Sequence, residues 1–221
     1  MSIQMLDKTK FAHFTVPHSG TRYINLAIET AIGEQAYQVA TPKQYARTAE
    51  KRGDQQKFIF CHIGQRWGEW IENICEQPHI KTWITVRSPI HTWGTHYGHI
   101  MDHMHESPRA VYEKLGQMRE QYIALMELAP KVGYIHRVDI DDLSQLGDYL
   151  GLELKEHDKQ FSNMTPMKQA LKERDLYKME ELCEGTDFYK AFRDYTTPDI
   201  KDFFEELGYD IWWYNEQRNA A

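Results

Sequence analysis

The chain has 221 residues, of which 41% are hydrophobic and 13% aromatic, so it carries ample material for a core and does not read as disordered. A net charge of -7 argues against a non-specific nucleic-acid binder, whose footprint would be basic, and no apolar run of about 18 residues is present to span a membrane. The three cysteines, Cys61, Cys75 and Cys183, are odd in number and lack a CxxC spacing, which excludes a disulfide framework or a structural zinc site as the organising principle.

In chain order, strand-like and helix-like segments alternate. The N-terminus shows no signal-peptide core, and the chain is expected to be cytoplasmic, with no membrane and no nucleic-acid partner. Ala12–Val16 reads as a first strand and Thr21–Gly33 as its helix, with Gly33 the stop signal. Lys57–Ile63 is a nearly continuous apolar run, as in a strand covered on both faces. A helix is predicted over Arg66–Glu76, ended by Pro78, and a strand over Lys81–Val86, rich in β-branched and aromatic residues. Helical stretches follow near Ile90–His103 and Pro108–Leu128, then a strand over Lys131–Val138 and a helix over Asp141–Leu150, stopped by Gly151.

The remainder is predicted to be mostly helical, broken at Pro166 and Pro198. It ends in the aromatic cluster Trp212-Trp213-Tyr214, expected in the core. Strands separated by helices imply one α/β domain over residues 1–221, built on a parallel sheet flanked by helices. In such sheets ligands bind beyond the carboxyl ends of the strands.

The most informative stretch joins the first strand to its helix: Pro17-His18-Ser19-Gly20-Thr21-Arg22. A turn of small residues into a helix leaves backbone N–H groups unpaired at the positive end of the helix dipole, a ready site for phosphate or sulfate. The turn lacks the Gly-x-x-x-x-Gly-Lys-Ser/Thr pattern of a Walker A loop. Two further segments end strands and open helices. One is Cys61-His62-Ile63-Gly64. In the other, Arg87 leaves its strand as a fixed cation and Thr95 follows on the next helix, where its hydroxyl can share an anion with Arg87.

These segments resemble the sulfotransferases that use 3′-phosphoadenosine 5′-phosphosulfate (PAPS). Their first motif, roughly Pro-Lys-Ser/Gly-Gly-Thr-Thr/Arg, is similar to Pro17-His18-Ser19-Gly20-Thr21-Arg22. Their second, roughly Arg-x-Pro-x-x-x-x-x-Ser-x-Tyr, resembles Arg87-Ser88-Pro89 through Thr95-His96-Tyr97. A softer likeness runs from Tyr134-Ile135-His136-Arg137-Val138-Asp139 to Leu150-Gly151-Leu152, like the family's strand and "Leu-x-x-Phe-Leu-Gly-Leu" helix. The three keep their order between residues 17 and 152.

The resemblance implies a P-loop NTPase-like sulfotransferase architecture that moves a sulfuryl group from PAPS to a hydroxyl or amine, with no metal. The acceptor would be a small molecule or glycan. It also implies residue roles. Pro17, His18, Ser19, Gly20, Thr21 and Arg22 would cradle the 5′-phosphosulfate, and Arg87 and Thr95 would hold the 3′-phosphate. His62, which resembles the His of the cytosolic branch's Thr-His-Leu motif, would be the catalytic base. His18 would act on the bridging oxygen.

The chain departs from the pattern in places. His18 stands where the family has Lys, Thr95 where it has Ser, and the late Arg-Lys-Gly segment is absent, with Lys168–Arg174 the nearest basic stretch. Two alternatives therefore stand beside the sulfotransferase. One is a kinase-like phosphoryl-transfer enzyme needing Mg²⁺ and a carboxylate such as Asp139. The other is a non-catalytic binding protein. His96, His99 and His103 share one helical face, which is expected to be solvated or to line an acceptor pocket rather than to bind metal.

Overall fold

The structure is a computed structural model that describes residues 6–52, 56–64, 68–99, 108–156, 166–174, 178, 181–182 and 195–216. Its strands are β1 (Phe11–Thr15), β2 (Tyr37–Gln38), β3 (Phe58–His62), β4 (Lys81–Val86) and β5 (Tyr134–Arg137). They form one sheet in the order β2-β3-β1-β4-β5, and each adjacent pair is parallel. The parallel α/β class expected from the sequence is the class observed. All five residues of β1 are buried, as a central strand covered on both faces requires.

The helices are α1 (Thr21–Ile32), α2 (Pro42–Arg52), α3 (Glu69–Cys75), α4 (Pro89–His99), α5 (Pro108–Leu128), α6 (Leu143–Leu150), α7 (Pro166–Glu173), α8 (Pro198–Glu206) and α9 (Trp212–Glu216). Two apolar clusters sandwich the sheet. On one face Ile24 and Ile28 of α1 and Leu143, Leu146 and Leu150 of α6 pack on Phe11, Phe58 and Trp83. On the other, Ile71 and Ile74 of α3, Trp93 of α4, Tyr122 and Leu125 of α5 and Phe204 of α8 cover Phe14, Cys61 and Ile84. Trp213 lies in this second cluster, 2% exposed.

Several expectations need correction. The segment between Gly33 and Lys57 holds β2 and α2. Two residues at the sheet edge make no periodic signal, and α2 is polar nearly all round, with Tyr45 its buried anchor. The strand expected from Lys131 starts at Tyr134, because Ala129–Lys131 winds into a 3-10 turn around Pro130. Pro166 and Pro198 open α7 and α8 instead of breaking helices. Proline at the first helical position forfeits only an N–H that has no partner there. Gly33 and Gly151 do stop α1 and α6, at φ 68° and 72°. The helix expected over Arg66–Glu76 is described from Glu69, and that over Ile90–His103 as far as His99.

The order of strands locates a site before any side chain is considered. The chain leaves β1 toward the β2–β3 edge and leaves β4 toward β5. Adjacent strands whose connections depart in opposite directions form a topological switch point, and the crevice beyond their carboxyl ends is where open α/β sheets bind ligands. Here those ends are the Val16–Gly20 turn and Arg87-Ser88.

Candidate functional site

The turn after β1 opens α1 through left-handed backbone. His18 (φ 67°) and Gly20 (φ 88°) both adopt left-handed backbone, and Gly20 caps α1 with no side chain bonded to the cap. The first amides of a helix have no intrahelical acceptor, and those after Gly20 lie at the positive end of the α1 dipole. No acidic residue occupies the first turn of α1 to compete. A Cβ on Gly20 would stand 3.0 Å from both methyls of Val138, so the turn needs glycine for its φ and for the close approach of the β5 end.

Hydroxyls hold this turn from beneath. Thr15 Oγ1 lies 2.6 Å from Ser19 Oγ and 3.1 Å from Thr21 Oγ1, and Ser19 Oγ donates to the Val16 carbonyl at 2.6 Å. Three hydroxyl protons serve this ladder most simply if Thr21 donates to Thr15, Thr15 to Ser19 and Ser19 to Val16. Ser19 also donates its N–H to the Val16 carbonyl, at 3.3 Å. The Ser19 and Thr21 side chains thus shape the turn. Pro17 and His18 are half-buried and Arg22 is exposed on the first turn of α1.

The second strand end supplies the cation. Arg87 donates through Nε to Asp139 Oδ1 at 3.3 Å and through Nη1 to Thr95 Oγ1 at 3.4 Å, so β4, α4 and the segment after β5 meet at one guanidinium. The His18 ring meets the His96 ring edge-on at 4.7 Å. His96 follows Thr95 on α4, so this contact sets the β1 turn against α4. α7, which carries Lys168 and Lys172 of the basic stretch Lys168–Arg174, packs on α4. Arg174 itself pairs with Asp210 at 3.1 Å and lies over the Trp212 ring.

His62 ends β3, half-buried, with its ring against Phe60. Its strand register puts it beside Thr15, which lies beside Thr85, which lies beside His136. Registered neighbours in a parallel sheet point to one face, so His62, Thr15, Thr85 and His136 form a polar row under the turn. Burial lowers the pKa of His62 and leaves its imidazole neutral, the form that accepts a proton.

The residue that sequence reading missed is His13, fully buried in β1. Its Nδ1 lies 2.7 Å from Asn25 Oδ1 of α1 and its Nε2 lies 2.6 Å from Thr85 Oγ1. It stacks on Trp83 at 4.9 Å. Asn25 Oδ1 accepts, so the proton sits on Nδ1, and Nε2 accepts from Thr85. Burial, only partly offset by Asn25, holds its pKa down to about 3. His136 is also lowered, by burial first and by Arg137, against the pull of Asp141. The available signal was a histidine inside an otherwise apolar central strand.

Cys61 and Cys75 are free thiols, each pushed up to about 12 mainly by burial and so unreactive; Cys183 lies outside the described residues. Among the described residues no three His, Cys, Asp or Glu side chains gather as a metal site. The His99 side chain and His103 fall outside them. No described helix is long and apolar enough to cross a membrane.

No protein-family model matches the chain, and no curated protein matches it in sequence. Among solved structures, it is similar to mouse sulfotransferase SULT7A1 complexed with PAP, at 14% identity and TM-score 0.49, covering 93% of this chain and 86% of that one. At that identity and TM-score the likeness adds no weight to the geometry above.

Proposed function

We propose that the chain is a sulfotransferase-like enzyme that takes PAPS as donor and transfers its sulfuryl group to a hydroxyl or amine. The observation that carries the reading is the His18–His96 contact. It sets the β1 turn against α4, the helix whose Thr95 meets Arg87, and this supports reading the turn and the Arg87–Thr95 pair as partners of two phosphate groups on a single nucleotide. The amides opening α1 receive the 5′-phosphosulfate and spread the charge that develops in an in-line displacement at sulfur. Arg87 and Thr95 receive the 3′-phosphate.

His18 donates toward the bridging oxygen as its bond to sulfur breaks. His62 accepts the acceptor's proton, a contribution of roughly 100- to 10,000-fold in rate. Asp139 is not poised to hold Mg²⁺, because one oxygen faces Arg87 and the other the Ser88 amide. That arrangement disfavours phosphoryl transfer through this carboxylate.

The test is calorimetric titration with adenosine 3′,5′-bisphosphate beside ATP with magnesium. Selective binding of the bisphosphate is expected. Binding of magnesium ATP alone would move the case to phosphoryl transfer, and binding of neither would leave a protein that keeps the fold without the activity.

A further inference from the structure

The cation of this site is gripped from behind. Asp139 follows Val138, whose methyls press on Gly20, so the carboxylate arrives where the β1 turn and the β4 end meet. Its Oδ1 accepts from Arg87 Nε at 3.3 Å and its Oδ2 from the Ser88 N–H at 3.0 Å. His91 Nδ1, one turn along α4, stands 3.9 Å from Oδ2, too long for a direct hydrogen bond. Burial works against ionisation of Asp139, yet His91, the Arg87 guanidinium and the Ser88 amide together hold its carboxyl below the ordinary range. The group is therefore a charged acceptor at neutral pH.

The geometry of the grip matters more than its charge. Asp139 takes the Nε edge of Arg87, while Nη1 is turned to Thr95. An anion meeting the terminal nitrogens beside Thr95 lies nearer the guanidinium than the carboxylate behind it. An unrestrained arginine loses rotamer freedom when it binds; one already clamped does not. Ser88 shares the clamp, so the start of α4, which carries Thr95, is fixed by the same side chain.

We propose that Asp139 is the positioning residue of this subsite. It holds Arg87 and the Ser88 amide in one arrangement, and so sets the preference for an adenylate bearing a second, 3′ phosphate over one without it. The proposal rests on the donor-site reading above.

The experiment compares adenosine 3′,5′-bisphosphate with AMP on the wild-type protein, Asp139→Asn and Asp139→Glu. AMP occupies the turn without calling on Arg87, so it reports whether the fold and the turn survive. Asp139→Asn is expected to weaken the bisphosphate about tenfold, a scale common for partners that orient a binding group. AMP should stay within about twofold, and Asp139→Glu, which keeps the charge one methylene out, should recover part of the loss. A general loss of structure would weaken both ligands alike and would overturn the proposal. So would an Asn variant that binds the bisphosphate as well as or better than wild type, because the carboxylate would then be idle or a competitor. A wild-type protein that does not prefer the bisphosphate over AMP would overturn the donor-site reading itself.

Discussion

The two faces of the central strand have opposite characters. Toward α1, β1 presents Phe11, His13 and Thr15, and its neighbours add His62, Thr85 and His136. Toward the opposite helices it presents Ala12, Phe14 and Val16, alongside Ile59, Cys61, Ile63, Ile84 and Val86. One face is apolar throughout; the other changes from apolar to polar groups as it nears the switch point. Buried polar groups cost free energy unless they are paired. Here His13 is paired with Asn25 and Thr85, and the Thr15 hydroxyl holds the turn through Ser19 and Thr21. The apolar face supplies stability, and the polar edge fixes geometry.

The largest effect should come from breaking the apolar face. Phe14→Ala, at a side chain 1% exposed, is expected to cost about 3 to 5 kcal/mol. The loss should be the same at pH 7 and pH 5, measured by chemical denaturation, with bisphosphate affinity unchanged in the folded fraction. A loss that varies with pH would blur the contrast between the faces.

The polar face should instead respond to acid. Burial holds His13 down to about 3, well below the 6.5 of an ordinary histidine, so the unfolded chain takes up a proton that the native chain refuses. Its contribution is fully present above about pH 6.5 and declines as the pH falls toward 3, by about 1.4 kcal/mol per unit. His62 and His136, also lowered, steepen the decline at the upper end of that window. Denaturation midpoints from pH 8 to pH 4 should show the fall, and His13→Gln should flatten it. An unaltered slope in that variant would remove His13 from the account.

A smaller change sharpens the link from polar face to turn. Thr15→Val removes the hydroxyl between Ser19 and Thr21 at nearly constant volume. It should cost about 1 kcal/mol of stability. Bisphosphate affinity should fall with it, and Thr15→Ser should restore both. Lost stability with intact affinity would mean that the ladder serves the strand and not the turn.

The same contrast explains what could be read from the sequence. The apolar strands announce themselves by composition, and the β1 turn by its small residues before a helical period. Arg87 and Thr95 were placed together from their spacing across a strand end and a helix, and the structure sets them 3.4 Å apart. The polar row is a property of strand pairing: nothing local in Phe11–Thr15 says that His13 will meet Thr85, 72 residues on. Asp139 was visible as a carboxylate near the site, but its grip on Arg87 spans 52 residues and depends on β4 lying beside β5. The edge strand β2 stayed hidden because two residues carry no period.

The most direct test of the account is bisphosphate binding by Arg87→Ala beside the wild-type protein, read by thermal shift and calorimetry. Arg87 lies at the half-exposed rim, so the variant should fold with nearly the wild-type melting temperature. Adenosine 3′,5′-bisphosphate at 100 times its Kd should stabilise the wild-type protein by about 2.7 kcal/mol. The same concentration should leave the variant essentially unshifted. Equal stabilisation of both proteins would contradict the claim that the β1 turn and the β4 end form one anion site.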